Sequence, residues 1–448
     1  MRRQGSLRLQ SSGDRFLWRR LEYALLGHPM PAGGDPVRAH RRALAAGCAV
    51  ALGIGVLATA FPIPPGGPGQ SPLVMSRQSG ALFVRVGDRL RPVANLVSAQ
   101  LILGTPATPR LVDDAALRTV ARGPVLGIPG APHSVGTMLS PAEQHWTVCD
   151  RADGSTAITV TAHIGPPTLQ PGTAVVVSAA HGDGSVYLLY DGRRARIDVG
   201  NPATARALHL EGVRPRPVSA TLLNVLPEAP AIGPPPIIGS PAEVAGVRVG
   251  GVLRTARADA EEFYVVVPQG IQRIGRLTAD LIRFADPMAG TDIPFVPPDV
   301  IATATMVDSL DVGGYPDAAP RLLDPHDAGV CATWRQGTTR VATGAVEPDA
   351  TAVPLAVADG DGPNLDAFSI APGSGVDVEA ATATAGRYVV TDAGVVFPVR
   401  DSTAAAAIGL GRQPTPIPWA ILAALPAGPE LSKQAALAGR DVIGGTVP

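Results

Sequence analysis

Hydrophobic and polar positions along this chain form three patterns, and each predicts a different kind of element. The first is a helical stripe. In SSGDRFLWRRLEYALLGHP (11–29), Phe16, Leu17, Leu21, Ala24 and Leu25 recur at helical spacing beside Tyr23, while Arg15, Arg19, Arg20 and Glu22 take most of the remaining face. Gly27 followed by His28-Pro29 predicts the stop. A lone amphipathic helix this short is marginal in water, so it must lie on a membrane or dock on a partner. The docking reading places Phe16, Leu17, Trp18, Leu21 and Leu25 at the contact.

The second pattern is an uninterrupted apolar run. Ala43 to Phe61 carries no charge, follows Arg38, Arg41 and Arg42, and precedes a Pro/Gly-rich stretch. A bilayer core needs roughly 20 apolar residues in helix, whereas a signal-peptide core has about 7–15. Forty-two residues precede the run, and Ala58-Thr59-Ala60 supplies a small-x-small cleavage look-alike. The length favours a retained transmembrane helix at 43–61, with a cytoplasmic tail at 1–42 and a linker at 62–72. Nine Arg against Asp14, Glu22 and Asp35 give the tail a net +6, which predicts a cytoplasmic N-terminus and an ectodomain outside the membrane.

The third pattern switches from period 2 to helical spacing and occurs four times: LFVRVGDRLRPVANLVSAQLIL (82–103), VYLLYDGRRARIDVGNPATARALHL (186–210), FYVVVPQGIQRIGRLTADLIRF (263–284) and RYVVTDAGVVFPVRDSTAAAAIGL (387–410). Each reads as a hairpin followed by a helix, with turn glycines at Gly87, Gly192, Gly270 and Gly394. PVSATLLNVLP (217–227) and PIPWAILAALP (416–426) extend the match by a second short apolar segment. The expected unit is a small ββα repeat module, and the expected fold class is mixed α/β (α+β). The modules fall at 73–127, 181–245, 246–307 and 384–448. The intervening segments 128–180 and 308–383 each hold one cysteine and predict a discontinuous β-rich central core, with repeats two and three looped out of it. Its strands are expected at 147–164, 173–180 and 332–346, in an elongated ectodomain.

Cysteine usage sharpens that core. Cys48 lies within the apolar run, leaving Cys149 and Cys331 on the oxidising side, in the mirrored contexts HWTVCDR and VCATWRQ. A Cys149–Cys331 disulfide is expected; the alternative, a metal site, lacks close His partners.

Charge and candidate chemistry narrow the function classes. The chain nets −1, so residues 43–448 net −7, which excludes a basic-groove nucleic-acid binder. Lys433 is the only lysine and is followed by Gln434, so no Walker A motif is present. His145, His163 and His181 lack metalloprotease spacing. HGDGS (181–185) does not by itself make a triad. ADGDGPNLD (358–366) offers Asp359, Asp361 and Asp366, but Pro363 and the missing late Glu depart from a calcium loop. No catalytic residue, metal or cofactor is assigned.

MRRQGSLRLQSSGDRFLWRRLEYALL (1–26), DPVRAHRRAL (35–44), FVRVGDRLRPVANLVSAQLILG (83–104) and the two cysteine contexts resemble the EccB family. These are membrane-anchored core components of type VII (ESX) secretion systems in mycobacteria and related actinobacteria. The resemblance covers nearly the whole chain; the segment between Gly27 and Val37 departs by carrying few basic residues. It implies four modules around a disulfide-bearing domain, and assembly with the EccC motor ATPase and the EccD and EccE membrane proteins. It also implies self-association of ectodomains, with the mycosin protease nearby. Family members are also described as ATPases. The expected role is a structural secretion component linking motor and membrane subunits to a periplasmic oligomer. The alternatives are a nucleotide hydrolase without a Walker A motif and a cell-envelope-binding module.

Overall fold

The computed structural model describes residues 17–18, 20–27, 44–48, 70–118, 120–163, 165–239, 243–257, 260–286, 292–324, 328–344, 351–381 and 386–440. The chain divides into two units, Met1–Gly69 and Gln70–Pro448. In the first, residues 17, 18 and 20–25 are helical and end in a turn at Leu26 and Gly27, where Gly27 has φ +63°. Residues 44–48 are also helical. Most of the predicted span at 43–61 lies outside the described residues, and no described helix is long and apolar enough to cross a membrane.

In the second unit one strand order recurs four times, and it is larger than a ββα module. In the second copy, the hairpin Val186–Tyr190/Arg193–Ile197 is preceded by Thr173–Ala179, which pairs antiparallel with its first strand. Helix Pro202–Ala207 leads into Arg216–Val218, which returns parallel to Thr173–Ala179. Helix Ala220–Val225 then leads into Glu228–Ile232, parallel to the second hairpin strand. The first copy repeats this with Leu73–Ser76, Leu82–Val86, Arg89–Val93, helix Leu96–Leu103, Arg110–Val112, helix Asp114–Leu117 and Val125–Leu126. The fourth uses Ser374–Ala380, Arg387–Thr391, Val396–Val399, helix Ser402–Ala407, Thr415–Ile417 and helix Trp419–Ala424, and closes with single parallel bridges at Ala427 and Leu431. The third is built on Val252–Arg257, Ala260–Val267, Gly270–Ile274 and helices Arg276–Ala285 and Pro298–Thr303, with bridges at Phe295 and Met306 as its return strands.

The strand at 173–180 expected in the central sheet therefore belongs to the second module. Its residues are apolar in succession because both faces are covered: Val175 and Val177 enter one core, Ala174 and Val176 another. The central sheet instead runs Thr338–Gly344, Gly329–Arg335, His145–Asp150, Thr156–Thr161, Ala367–Ser369, Val353–Pro354. It is drawn from both cysteine segments.

Packing joins the parts through helices of the same kind. Leu96–Leu103 of module one meets Ser402–Ala407 of module four, and Pro202–Ala207 of module two meets Arg276–Ala285 of module three. The second helices of modules two and four, Ala220–Val225 and Trp419–Ala424, pack on each other. They share one apolar core with the central sheet, in which Leu222, Leu223, Ile421 and Leu422 lie with Trp146, Val148, Trp334 and Phe368. Modules two and four thus share their core with the central sheet, although module two, like module three, is inserted in sequence between two of that sheet's strands. The chain's last described strand, Gly439–Arg440, pairs with Val125–Leu126 of module one. Helix Lys433–Ala436 packs on Leu96–Leu103, so the C-terminal segment completes the first module.

Candidate functional site: the disulfide centre and its junctions

Cys149 and Cys331 form a disulfide across two adjacent antiparallel strands, with Cα atoms 4.1 Å apart and a sequence separation of 182. Both are buried, beside Ala342. The alternation of strand side chains puts this pair on one face of the sheet and Trp146 and Trp334 on the other, in the main core.

Asp150 follows the cysteine and is almost fully buried, and it binds the central sheet to module two. Ser219, the N-cap of helix Ala220–Val225, donates its backbone N–H at 2.6 Å and its hydroxyl at 2.8 Å to the Asp150 carboxylate. Thr156 Oγ1 donates at 2.9 Å. Ser219 Oγ in turn accepts from Leu222 N–H at 3.1 Å, so the carboxylate orders the cap of the helix that meets module four. Burial pushes the Asp150 pKa up; the bonds from Ser219 and Thr156 and the charge of Arg216 oppose that shift. Arg216 donates to the Arg151 carbonyl at 2.7 Å. Sequence reasoning missed Asp150, although it sits in the quoted cysteine motif and its partner heads a cap-like SATLL; the pairing spans 69 residues.

The turn glycines occupy different places in their hairpins. Gly87 and Asp88 form the two-residue turn of module one, and Asp191 (φ +43°) and Gly192 (φ +74°) that of module two. Gly394 ends a three-residue turn in module four. Gly270 is paired with Val267 and so lies one residue past its turn, which Pro268 and Gln269 make. Gly192 also abuts the central sheet: a Cβ there would sit 1.9 Å from the Thr339 carbonyl oxygen.

The remaining candidates have local structural roles. Asp366 accepts backbone N–H bonds from Thr156 (2.7 Å), Asp359 (3.0 Å) and Gly360 (2.7 Å). Asp359 accepts from Asn364, so the 358–366 loop is ordered by its own carboxylates. Asp183 accepts from Ser185 N–H at 3.0 Å, and its pKa is lowered mainly by hydrogen bonds from Ser185. Among the described residues no group of three His, Cys, Asp or Glu converges as a metal would require. On the tail helix Leu17, Trp18, Leu21 and Leu25 are all exposed, Trp18 at 74% and Leu25 at 78%; Phe16 lies outside the described residues.

Four repeated hairpin-and-helix modules around a disulfide-bearing central sheet define the class: a modular α+β protein. The profile described as "Type VII secretion system ESX-1, transport TM domain B" matches residues 3–444. The chain belongs to that family, EccB. It is 34% identical to "ESX-3 secretion system ATPase EccB3" of Mycolicibacterium smegmatis, over 97% of this chain and 91% of that one. It is equally identical to "ESX-5 secretion system ATPase EccB5" of Mycobacterium tuberculosis H37Rv, over 98% and 94%. Its fold is similar to a chain of an intact ESX-5 inner membrane complex, with a TM-score of 0.72 and 32% identity over 98% of this chain and 97% of that chain. An EccB3 dimer from the ESX-3 core complex gives 0.71 and 30% identity, over 82% and 100%.

Proposed function

We propose that this protein is a structural core component of a type VII secretion complex in the cytoplasmic membrane. In this reading 43–61 spans the membrane once with the N-terminus inside. The exposed face of the tail helix, Leu17, Trp18, Leu21 and Leu25, docks on EccC-, EccD- or EccE-type subunits. The ectodomain self-associates in the periplasm near a mycosin-type protease. The observation that carries the reading is the fusion of modules two and four with the disulfide-pinned sheet into one core. A core shared in this way ties modules two and four to the central sheet, as a structural coupling role requires. The similarity to chains in ESX inner membrane complexes supports it along the whole length.

Relatives carry "ATPase" in their names, so hydrolysis is the second reading. The chain has no Walker A lysine to reach nucleotide phosphates. Purification of the membrane complex in mild detergent, with subunit counting, tests the first reading. Stoichiometric recovery with other secretion subunits is expected, and a solitary monomer overturns it. ATP hydrolysis that survives stringent purification and is abolished by one ectodomain substitution would instead establish the second.

A further inference from the structure

The disulfide face of the central sheet carries a row of hydrogen-bond donors. His145, Thr147 and Cys149 share this face on one strand, Cys331, Thr333 and Arg335 on its neighbour, and Thr338, Arg340 and Ala342 on the edge strand. The register stacks them across the strands. Cys149, Cys331 and Ala342 form the buried row, Thr147, Thr333 and Arg340 the next, and Arg335 stands opposite Thr338. The segment 165–170 folds along the edge, held by Leu169 N–H donating to the Val341 carbonyl at 2.8 Å. Gly165 reaches over the face, where an added Cβ would lie 3.2 Å from Thr147 Oγ1. His145 is oriented by the contact of Nδ1 with the His163 carbonyl at 3.1 Å, while its Nε2, shut off from solvent, has no hydrogen-bond partner among the described residues.

Strand and loop line an open cavity of about 650 Å³, a size common for small-molecule sites. Its polar lining comes from His145, four threonines, Gln170, Gln336, Arg335 and Arg340, and no carboxylate lines it among the described residues. Arg335 and Arg340 form no ion pair with a described residue. Guanidinium groups match oxyanions in geometry and charge. The hydroxyls and amides beside them match the hydroxyls of a polyol. Trp334 borders the cavity but is buried, its side chain packed in the opposite core.

We propose that this cavity binds an oxyanion carried on a polyol, such as a phosphorylated or carboxylated saccharide, with Arg335 and Arg340 holding the anion and Thr147, Thr333 and Thr338 the hydroxyls. The disulfide, one row away, keeps the two inner strands in the register that aligns these donors. The ligand chemistry is shared by envelope glycans and by lipid headgroups.

The full chain in detergent micelles would be titrated calorimetrically with myo-inositol-1-phosphate and with glucuronate. Saturable binding is expected for at least one. It should weaken at least tenfold in R335Q/R340Q, stay unchanged in R257Q, and fall with added salt. Thr333→Val, which removes one hydroxyl without altering the sheet's charge, should weaken the polyol ligands but not inorganic phosphate. Absence of saturable binding, or equal binding by R335Q/R340Q, overturns the proposal; equal affinity for inorganic phosphate overturns the polyol part. Repeating the titration in phosphatidylinositol nanodiscs separates the sources. Loss of inositol phosphate binding there supports a headgroup occupying the site, and retention supports a soluble glycan.

Discussion

Trp146 lies directly across the strand pair from Trp334. The same antiparallel register sets Cys149 against Cys331, three residues on along one strand and three back along the other. The mirrored order of the two sequence motifs, Trp before Cys in one and after it in the other, follows from this pairing. Opposite faces of the sheet receive the two pairs: the indoles seal the main core, and the disulfide closes the other side.

The bond joins strands 182 residues apart, so its loss frees a large loop in the unfolded chain. The double variant C149S/C331S should lose about 5 kcal/mol of stability, the chain-entropy value for a loop of this length. Urea denaturation of both forms measures this; an unshifted midpoint contradicts it.

Asp150 predicts a specific pH dependence. Its folded pKa lies above the ordinary carboxylate value because of burial, so the folded state holds this proton more tightly than the unfolded chain. Its contribution to stability therefore rises as pH falls through the folded pKa and levels off below the unfolded one. Asp150→Asn should flatten that segment of a melting-temperature profile. Asp150→Ala should cost about 2–4 kcal/mol, because Ser219 and Thr156 lose their buried acceptor. Identical profiles for wild type and Asp150→Asn would remove Asp150 from this role.

Leu222 is fully buried where the second helices of modules two and four meet the central sheet. Leu222→Ala should cost about 2–5 kcal/mol. Because the core is shared, central-sheet and module signals should shift together in hydrogen exchange. Loosening confined to residues 173–232 would show that module two opens alone.

Gly192 combines a positive φ with a closed approach to Thr339. Gly192→Ala should destabilise by about 2–4 kcal/mol through strain and displacement of the edge strand. Gly87, whose Cβ position is open, should tolerate alanine at a lower cost. Thermal denaturation of the two variants compares them.

The tail helix exposes its apolar stripe. L21D/L25D should leave ectodomain stability unchanged and abolish co-purification with the other membrane subunits. Complex recovery at wild-type levels would assign those residues to another role.

Some features were legible because their causes are local. Hairpin turns carry their own chemistry in Gly87-Asp88 and Asp191-Gly192, and the caps Asn95, Asn201 and Asp401 each accept a backbone N–H of the helix they precede. The cysteine pairing was readable from compartment and number. The return strands were not. Arg216–Val218 and Thr415–Ile417 are three residues long and become strands only by lying parallel to a chain segment far away in sequence. The spacing and turn glycines mark four similar stretches, but strand Thr173–Ala179 reads equally well in either neighbouring sheet.

By itself, then, the sequence determined the family, the positions of the hairpins and the two cysteines that meet, since these follow from short-range patterning and a small count of residue types. Only the tertiary structure decided that Asp150 holds the Ser219 cap of a module-two helix, that the last described strand completes module one, and that Arg335 and Arg340 share one cavity with Thr147. Each depends on which distant strands become neighbours. That choice is made by the burial of whole faces, a sum over many residues that no single motif records.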